Sequence, residues 1–239
     1  FGHAVNQISF IKEKLFSQRK MTNVKILSAF TKLGFKDYVI TSLVNPMIGK
    51  NDPQILRQII KSGHELGLHG GKNHDDWFRE AHQWPVKKIR EELLWGQQLL
   101  KNYISYKSVY GFSSPGWNTS TNIRKMLYEL GFSYTADIHS DKPIEKIVIR
   151  NGIKCIPTNI VGEPEGVGYI EFCRASHMND SEILKDFRKK LMARKKLAVI
   201  YDHPYYAGIQ ELHMVKQMIQ MAINMNFTVV SMREISQKI

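Results

Sequence analysis

Two histidines in the first half of the sequence have the residue type and spacing of metal ligands. His69 and His74 stand on either side of the loop Gly70–Asn73, directly after a predicted strand. Neutral imidazole nitrogens bind zinc and other borderline divalent ions, and a single loop can bring two of them close together. We therefore predict that His69 and His74 hold a divalent metal. The alternative is a pair of structural histidines without a ligand.

A third histidine has the surroundings of a proton donor. His203 follows the apolar run Leu197–Tyr201 and is flanked by Asp202 and Pro204. An imidazole titrates near neutral pH, so His203 is a candidate to protonate a leaving group; the alternative is a buried histidine with satisfied hydrogen bonds. Asp137 is the candidate partner whose charge would raise the pKa of a histidine, unless it only caps a loop.

One aromatic and two polar residues are candidates for substrate binding. Trp117 lies in the loop Ser114–Asn118 after a predicted strand, where it would form the wall of a sugar or lipid pocket or else belong to the core. Ser114 opens the same loop, and Asp202 precedes the candidate proton donor. We assign Trp117, Ser114 and Asp202 to the binding groove.

These residues come from four separate segments, which a parallel sheet would bring to one edge. The predicted strands are His64–His69, Ser108–Ser113, Phe132–Asp137, Lys154–Thr158, Leu197–Asp202 and Phe227–Ser231. The predicted helices are Gln54–Lys61, Pro85–Tyr103, a helix ending at Gly131, Asp180–Arg194 and Ile209–Asn226. Strands separated by single helices indicate parallel pairing, with reactive groups at the carboxyl ends of the strands. We expect one α/β domain over residues 1–239, as an incomplete barrel or an open sheet.

Composition excludes several classes of protein. The chain has 239 residues, with 34 basic and 22 acidic side chains and a net charge of +12. Two cysteines, Cys155 and Cys173, are too few for a disulfide scaffold or a four-thiolate zinc site, and indicate a reducing compartment. No run reaches the roughly 18 apolar residues of a membrane span. The sequence opens at Phe1 and not at Met, so we expect its start to be incomplete.

The basic excess falls into two clusters. The first is Lys12, Lys14, Arg19, Lys20, Lys25, Lys32 and Lys36, and the second is Lys185, Arg188, Lys189, Lys190, Arg194, Lys195 and Lys196. Such clusters favour anionic partners or form solvated helix faces. No nucleic-acid motif accompanies them, so nucleic acid is not an expected partner.

Four segments together resemble the motifs of the polysaccharide deacetylase superfamily, carbohydrate esterase family four. They are GHELGLHGGKNHDDW (Gly63–Trp77), GFSSPGW (Gly111–Trp117), FSYTAD (Phe132–Asp137) and VIYDHP (Val199–Pro204). The resemblance implies a distorted, incomplete (β/α) barrel of the deacetylase type that lacks its first strand or strands. It also implies a metal at His69 and His74, with zinc, manganese or cobalt as the ion, and His203 as the catalytic acid.

Within the superfamily the sequence is most similar to the deformylases that act on undecaprenyl-linked 4-formamido-arabinose. The shared features are a basic insertion at about residues 10–50 and Ser113 in the place of an arginine that is usual in deacetylases. One departure is the spacing of His69 and His74, which are five residues apart where four is usual, so Asn73 is an alternative ligand. A further departure is that this sequence does not contain the family's first motif, an acidic strand that supplies the general base and the third metal ligand.

The resemblance implies a metal-dependent amide hydrolase that deformylates a lipid-linked formamido sugar for lipid A modification. Its expected partners are that sugar and an anionic membrane surface near residues 10–36, and its expected place is the cytoplasmic face of the inner membrane. An N-deacetylase of polysaccharide or peptidoglycan is one alternative, and a non-catalytic sugar-binding relative without the base is another. The sequence does not indicate an oligomeric state.

Overall fold

The structure is a computed structural model that describes residues 27, 29–44, 53–101, 111–140, 142–162 and 167–238. The insertion predicted at about residues 10–50 therefore lies only partly within the described residues. Its basic residues Lys12, Lys14, Arg19, Lys20 and Lys25 lie outside them.

One five-stranded sheet organises the chain. Its strands are β1 (Leu68–His69), β2 (Gly111–Ser113), β3 (Tyr134–His139), β4 (Val148–Arg150) and β5 (Ile153–Thr158). The spatial order is β1-β2-β3-β5-β4, in which β1, β2, β3 and β5 are parallel and β4 is antiparallel to β5. Over the residues that the structure describes, the sheet does not close on itself. The predicted α/β class with an incomplete barrel is confirmed.

Helices cover the sheet and connect its strands. They are α1 (Ala29–Leu43, interrupted at Gly34), α2 (Pro53–Lys61), α3 (His74–Glu80), α4 (Val86–Lys101), α5 (Thr121–Glu129), α6 (Tyr169–Ala175), α7 (Asp180–Met192), α8 (Pro204–Ala207), α9 (Leu212–Asn224) and α10 (Met232–Gln237). Short 3-10 turns follow α3 at Ala81–Gln83 and follow β2 at Pro115–Trp117. Helix α4 lies so close to β1 that a Cβ on Gly96 would meet Leu68 Cδ1 at 2.7 Å.

The core has two main parts. One lies between the sheet and helices α3, α4 and α5, where Trp77, Leu93 and Phe112 are buried together. The other lies among α6, α7 and α9, where Ile170, Ile183 and Met214 are buried. The candidate site lies where segments from both parts meet, so each part supplies some of its side chains.

Two predicted strands are wrong in the structure. Residues 197–202 make one isolated parallel bridge, Ile200 with Ile160, and residues 227–231 form no regular strand. An apolar run becomes a strand only where a neighbouring strand pairs with it along its length, and the described residues offer no such neighbour to these two runs. The antiparallel strand β4 was not predicted. Asn151 and Gly152 have positive φ of 54° and 85° between β4 and β5, and an Asn-Gly pair is a hairpin signal that the sequence does carry.

Asn159 replaces the missing strand pairing with side-chain hydrogen bonds. It is fully buried directly after β5, and its Nδ2 donates to the carbonyl oxygens of Ile144 (2.8 Å) and Leu197 (2.9 Å). Its Oδ1 accepts from the Val199 amide at 2.9 Å. The Asn159 amide also donates to Val199 O at 3.0 Å. One side chain thus fixes the segment that leads to His203.

We predict that Asn159→Ala lowers the free energy of unfolding by about 2–4 kcal/mol, because it removes the partner of the buried Val199 amide and of two backbone carbonyls. Asn224→Ala is the matched control, since Asn224 is exposed and its Oδ1 accepts from the Gln220 side chain on the same helix; it should change stability by less than about 0.5 kcal/mol. Denaturant unfolding followed by circular dichroism measures both. Equal effects of the two substitutions would contradict the role given to Asn159.

Candidate active site

His69 and His74 face each other at the carboxyl end of β1. The register pairs His69 with Ser113 of β2, and His69 Nδ1 lies 2.8 Å from the Ser113 carbonyl oxygen. His74 is the first residue of α3, and Asn73 Oδ1 accepts hydrogen bonds from the amides of Asp75 and Asp76. The two Nε2 atoms of His69 and His74 lie 3.1 Å apart. Asn73 Oδ1 is thus used to cap the helix, while His74 is directed at His69.

Both imidazoles are held in the neutral form that binds metals. Although His69 is an exposed residue, desolvation by the surrounding protein and the neighbouring His74 together lower its pKa to about 4, and the hydrogen bond to the Ser113 carbonyl opposes them only in part. Desolvation and the charge of His203 lower the pKa of His74 to about 4. A carbonyl oxygen can only accept a hydrogen bond, so the ring nitrogen that faces it must carry a hydrogen. His69 therefore has its proton on Nδ1, and the lone pair on Nε2 is available to a metal ion.

The pair fits two corners of a metal site. Two nitrogens each about 2.0–2.1 Å from a tetrahedral ion lie roughly 3.3 Å apart, close to the observed separation of His69 and His74. The carbonyl of Ser113 supplies the outer contact that commonly orients a metal-binding histidine. Within the described ranges of the chain, no group of three His, Cys, Asp or Glu side chains converges on one point.

His203 has a hydrogen-bond partner on each ring nitrogen. It lies directly before α8, where Nδ1 is 2.6 Å from Glu171 Oε1 and Nε2 is 2.7 Å from the Tyr201 hydroxyl. Its charge also lowers the pKa of both His69 and His74. The structure therefore brings the candidate acid within electrostatic range of the two candidate ligands, although they come from opposite halves of the sequence. We call the region between these three side chains the cleft.

Glu171 is the carboxylate that faces His203. Its side chain in α6 has no solvent exposure, and its second oxygen, Oε2, lies 2.9 Å from Lys32 Nζ. Burial raises the pKa of Glu171, but the hydrogen bonds and charges of His203 and Lys32 outweigh it and hold that pKa below its ordinary value. Glu171 is therefore ionised, and His203 Nδ1 donates to it.

Asp137 and Asp202 have other partners. Asp137 Oδ2 accepts from Arg124 Nε at 2.8 Å, so the structure places this carboxylate against an arginine rather than against His203. Asp202 Oδ2 accepts from the Ile170 amide at 2.6 Å, and Oδ1 accepts from the His203 amide at 3.1 Å. Burial raises the pKa of Asp202 to about 7. Asp202 thus fixes the start of α6 beside His203.

Aromatic rings line the cleft next to His203. Trp117 has a positive φ of 54° and stacks at 4.3 Å on His139 and edge-on at 5.0 Å on Tyr201, measured between ring centroids. Tyr205 stacks on the His203 ring at 5.0 Å. Ser114 is buried before Trp117, and its hydroxyl has no partner among the described residues. Such a wall suits the apolar face of a sugar ring.

Three residues of this cluster were missed from the sequence: Glu171, Tyr201 and Lys32. Glu171 stands in the apolar run Tyr169–Cys173, and an acid within such a run is a signal of a buried, paired carboxylate. The sequence predicts Tyr201 as part of a strand. It places Lys32 in a basic cluster, whereas in the structure Lys32 lies against Glu171 with only 14% of its side chain exposed.

Comparison with known sequences identifies one family and one curated relative. Residues 21–135 match the polysaccharide deacetylase family. A protein of Shewanella sediminis described as a 4-deoxy-4-formamido-L-arabinose-phosphoundecaprenol deformylase is 27% identical over 96 residues. The aligned part is 40% of this chain and 31% of that relative, so the chain matches about a third of the relative's length.

Comparison with solved structures concerns the fold. A crystal structure from Mycobacterium smegmatis, described as a polysaccharide deacetylase, superposes with a TM-score of 0.60 and 21% identity over 80% of this chain and 68% of that one. The deacetylase domain of a multidomain xylanase from the hindgut metagenome of Trinervitermes trinervoides gives a TM-score of 0.49 and 17% identity, over 79% of this chain and 71% of that one.

We predict that the chain binds Zn²⁺ through His69 and His74. His69→Ala or His74→Ala should weaken Zn²⁺ binding at least about tenfold, because each removes one of two converging ligands. His213→Ala is the control, since His213 is an exposed histidine whose ring pairs with Asp180. Competition with a chromophoric chelator measures the affinity. Unchanged affinity in both site variants would refute the pair as ligands.

Proposed function

We propose that the chain, whose residues 21–135 match the polysaccharide deacetylase family, is a metal-dependent hydrolase of an N-acyl sugar. The family implies hydrolysis of a carbon–nitrogen bond, and deacetylases of this kind generally use a divalent metal. The observation that carries the proposal is the convergence of His69 and His74 at 3.1 Å, with the charge of His203 acting on both. These are a pair of ligands and an acid at one cleft.

His203 is the proposed general acid. A divalent ion at His69 and His74 would supply Lewis-acid activation of the amide oxygen and of water. Glu171 holds the Nδ1 proton of His203 and stabilises the ring when it is doubly protonated. When substrate binds, Nε2 of His203 turns from the Tyr201 hydroxyl to the departing nitrogen. It donates a proton to that nitrogen, because an amine anion is a poor leaving group.

The aromatic wall is the proposed sugar subsite. Trp117 and Tyr201 present ring faces and edges beside His203, so a pyranose that packs on them would bring its acylated nitrogen towards the acid. Ser114 and Asp202 are proposed to belong to the same groove. The Ser114 hydroxyl has no partner among the described residues, and Asp202 orients the His203 backbone by accepting from its amide. Asp137, with its Arg124 partner, acts here only as a support for β3.

A formamido sugar linked to a lipid is the proposed substrate. Support comes from the sequence similarity to the Shewanella sediminis protein and from the surface of α1. Phe35 and Leu43 of α1 and the next residue, Val44, are 71%, 74% and 68% exposed, and the exposed Lys36 follows Phe35. Exposed apolar side chains among lysines are typical of segments that lie on anionic membranes. No helix in the part of the chain that the structure describes is long and apolar enough to span a membrane.

Formate release tests the proposal and its alternative. Full-length protein with Zn²⁺, Mn²⁺ or Co²⁺ is incubated with N-formyl and N-acetyl aminosugars, and formate and acetate are quantified. We expect formate from the 4-formamido sugar. Acetate alone would favour the alternative, a polysaccharide or peptidoglycan N-deacetylase. Release of neither acid, with sugar binding retained, would favour a non-catalytic sugar-binding protein.

His203→Ala should slow turnover about 10²–10⁴-fold, because it removes the proton donor while leaving both candidate ligands in place. Bound metal should stay at the level of the unaltered protein, as measured by atomic absorption. His213→Ala, on an exposed site, should retain full activity. Loss of metal from the His203 variant would identify His203 as a ligand and overturn its role as the acid.

Membrane association is the last prediction of this proposal. Each basic residue near an anionic bilayer contributes about 1 kcal/mol, an attraction that salt screens beyond about 8 Å at physiological ionic strength. The full chain should therefore float with phosphatidylglycerol vesicles and not with phosphatidylcholine vesicles. Joint replacement of Lys12, Lys14, Arg19 and Lys20 by Gln should abolish flotation. Equal binding to both vesicles, or to neither, would contradict a membrane-facing role.

A further inference from the structure

The two oxygens of the Glu171 carboxylate pair with two different side chains from distant parts of the chain, a histidine and a lysine. Oε1 lies 2.6 Å from His203 Nδ1, and Oε2 lies 2.9 Å from Lys32 Nζ. The Glu171 side chain has no exposed surface, so bulk water does not reach either oxygen. A buried carboxylate needs both of its oxygens paired, and each partner therefore limits where the other can bind.

Lys32 is fixed in place by more than its ammonium group. It belongs to the first part of α1, before the interruption at Gly34, and 14% of its side chain is exposed. Gln210, which follows α8, donates from Nε2 to the carbonyl oxygens of Thr31 (3.2 Å) and Lys32 (2.8 Å). The backbone that carries Lys32 is thus attached to the same region of the chain that carries His203.

We propose that Lys32 is a positioning residue that acts on His203 through Glu171. By occupying Oε2, its ammonium group leaves Oε1 as the oxygen that receives the Nδ1 proton of His203 and fixes the plane of the imidazole ring. The contact itself does not depend on the proposed reaction. Only the consequence for catalysis rests on the proposed function, in which His203 is the acid.

The charges around the pair show why Lys32 matters. Burial raises the pKa of Glu171, whereas the hydrogen bonds and charges of His203 and Lys32 lower it. The other titratable groups that face the pair are Tyr201, Tyr205, Tyr206 and Asp202 on the Glu171 side and His69 and His74 on the cleft side. None of these supplies a second fixed cation to Glu171. Without Lys32, the carboxylate must take up a proton or turn towards another donor.

Nuclear magnetic resonance of the full chain tests this proposal without any substrate. The variants are Lys32→Met, which removes the cation; Lys32→Arg, which retains it; and Lys36→Met, which removes an exposed lysine of the same helix beyond Gly34. One readout is the pH titration of the Glu171 carboxyl carbon. The other is the pair of His203 imidazole nitrogen shifts, which report the hydrogen bond at Nδ1. The indole signal of Trp84, in the other part of the core, reports intact folding.

In Lys32→Met the Glu171 titration should move to higher pH, and the His203 Nδ1 signal should lose its carboxylate-bonded shift. Lys32→Arg should restore both signals, and Lys36→Met should leave both unchanged. Identical His203 nitrogen shifts in Lys32→Met and unaltered protein would overturn the proposal, as would an equal change in Lys36→Met. If Lys32→Met does not fold, Lys32→Gln removes the charge and keeps an N–H donor, and an unmoved Glu171 titration in that variant would overturn the proposal.

The same variants separate this inference from the proposed function. If the chain hydrolyses no N-acyl sugar while the Glu171 and His203 signals respond to Lys32→Met, the proposed function fails and the positioning role stands. If the chain is active, Lys32→Met should lower kcat more than it changes KM and alter the pH profile of kcat. A change in KM alone would contradict action through the acid.

Discussion

A carboxylate without access to water is the constraint around which one side of the cleft is built. Glu171 requires a partner for each oxygen, and the two partners come from residues 139 positions before it and 32 positions after it. Helices α1, α6 and α8 therefore meet at this point. The interaction holds the imidazole of His203 in one orientation, which a proton donor needs before a substrate arrives.

The other side of the cleft depends on backbone pairing. The parallel register of β1 and β2 sets the Ser113 carbonyl beside His69, and that contact decides which nitrogen of His69 is free. The start of α3 then directs His74 at the same point. A rigid sheet edge thus presents the candidate ligands, whereas a buried ion pair presents the candidate acid. Asn159 joins the two halves, because it ties the end of β5 to the segment before His203.

Much of this arrangement could be predicted from the sequence, because it follows from local patterns. The alternation of strands and helices gave the fold class, and the rule that reactive groups follow strands pointed to His69, His74 and His203. The run LAVIYD looks like a strand, but pairing depends on neighbours that the run itself does not encode. Glu171 was missed for a related reason. Its partner Lys32 is distant in sequence, and nothing in either local pattern shows that the two are in contact.

Zinc-edge X-ray absorption and anomalous diffraction of the zinc-loaded protein would show whether His69 and His74 form a metal site next to the candidate acid His203. We expect zinc at about 2.0–2.1 Å from Nε2 of both His69 and His74, with His203 in the same cleft and outside the coordination sphere. Zinc bound elsewhere, or bound to His203 in place of either histidine, would contradict it.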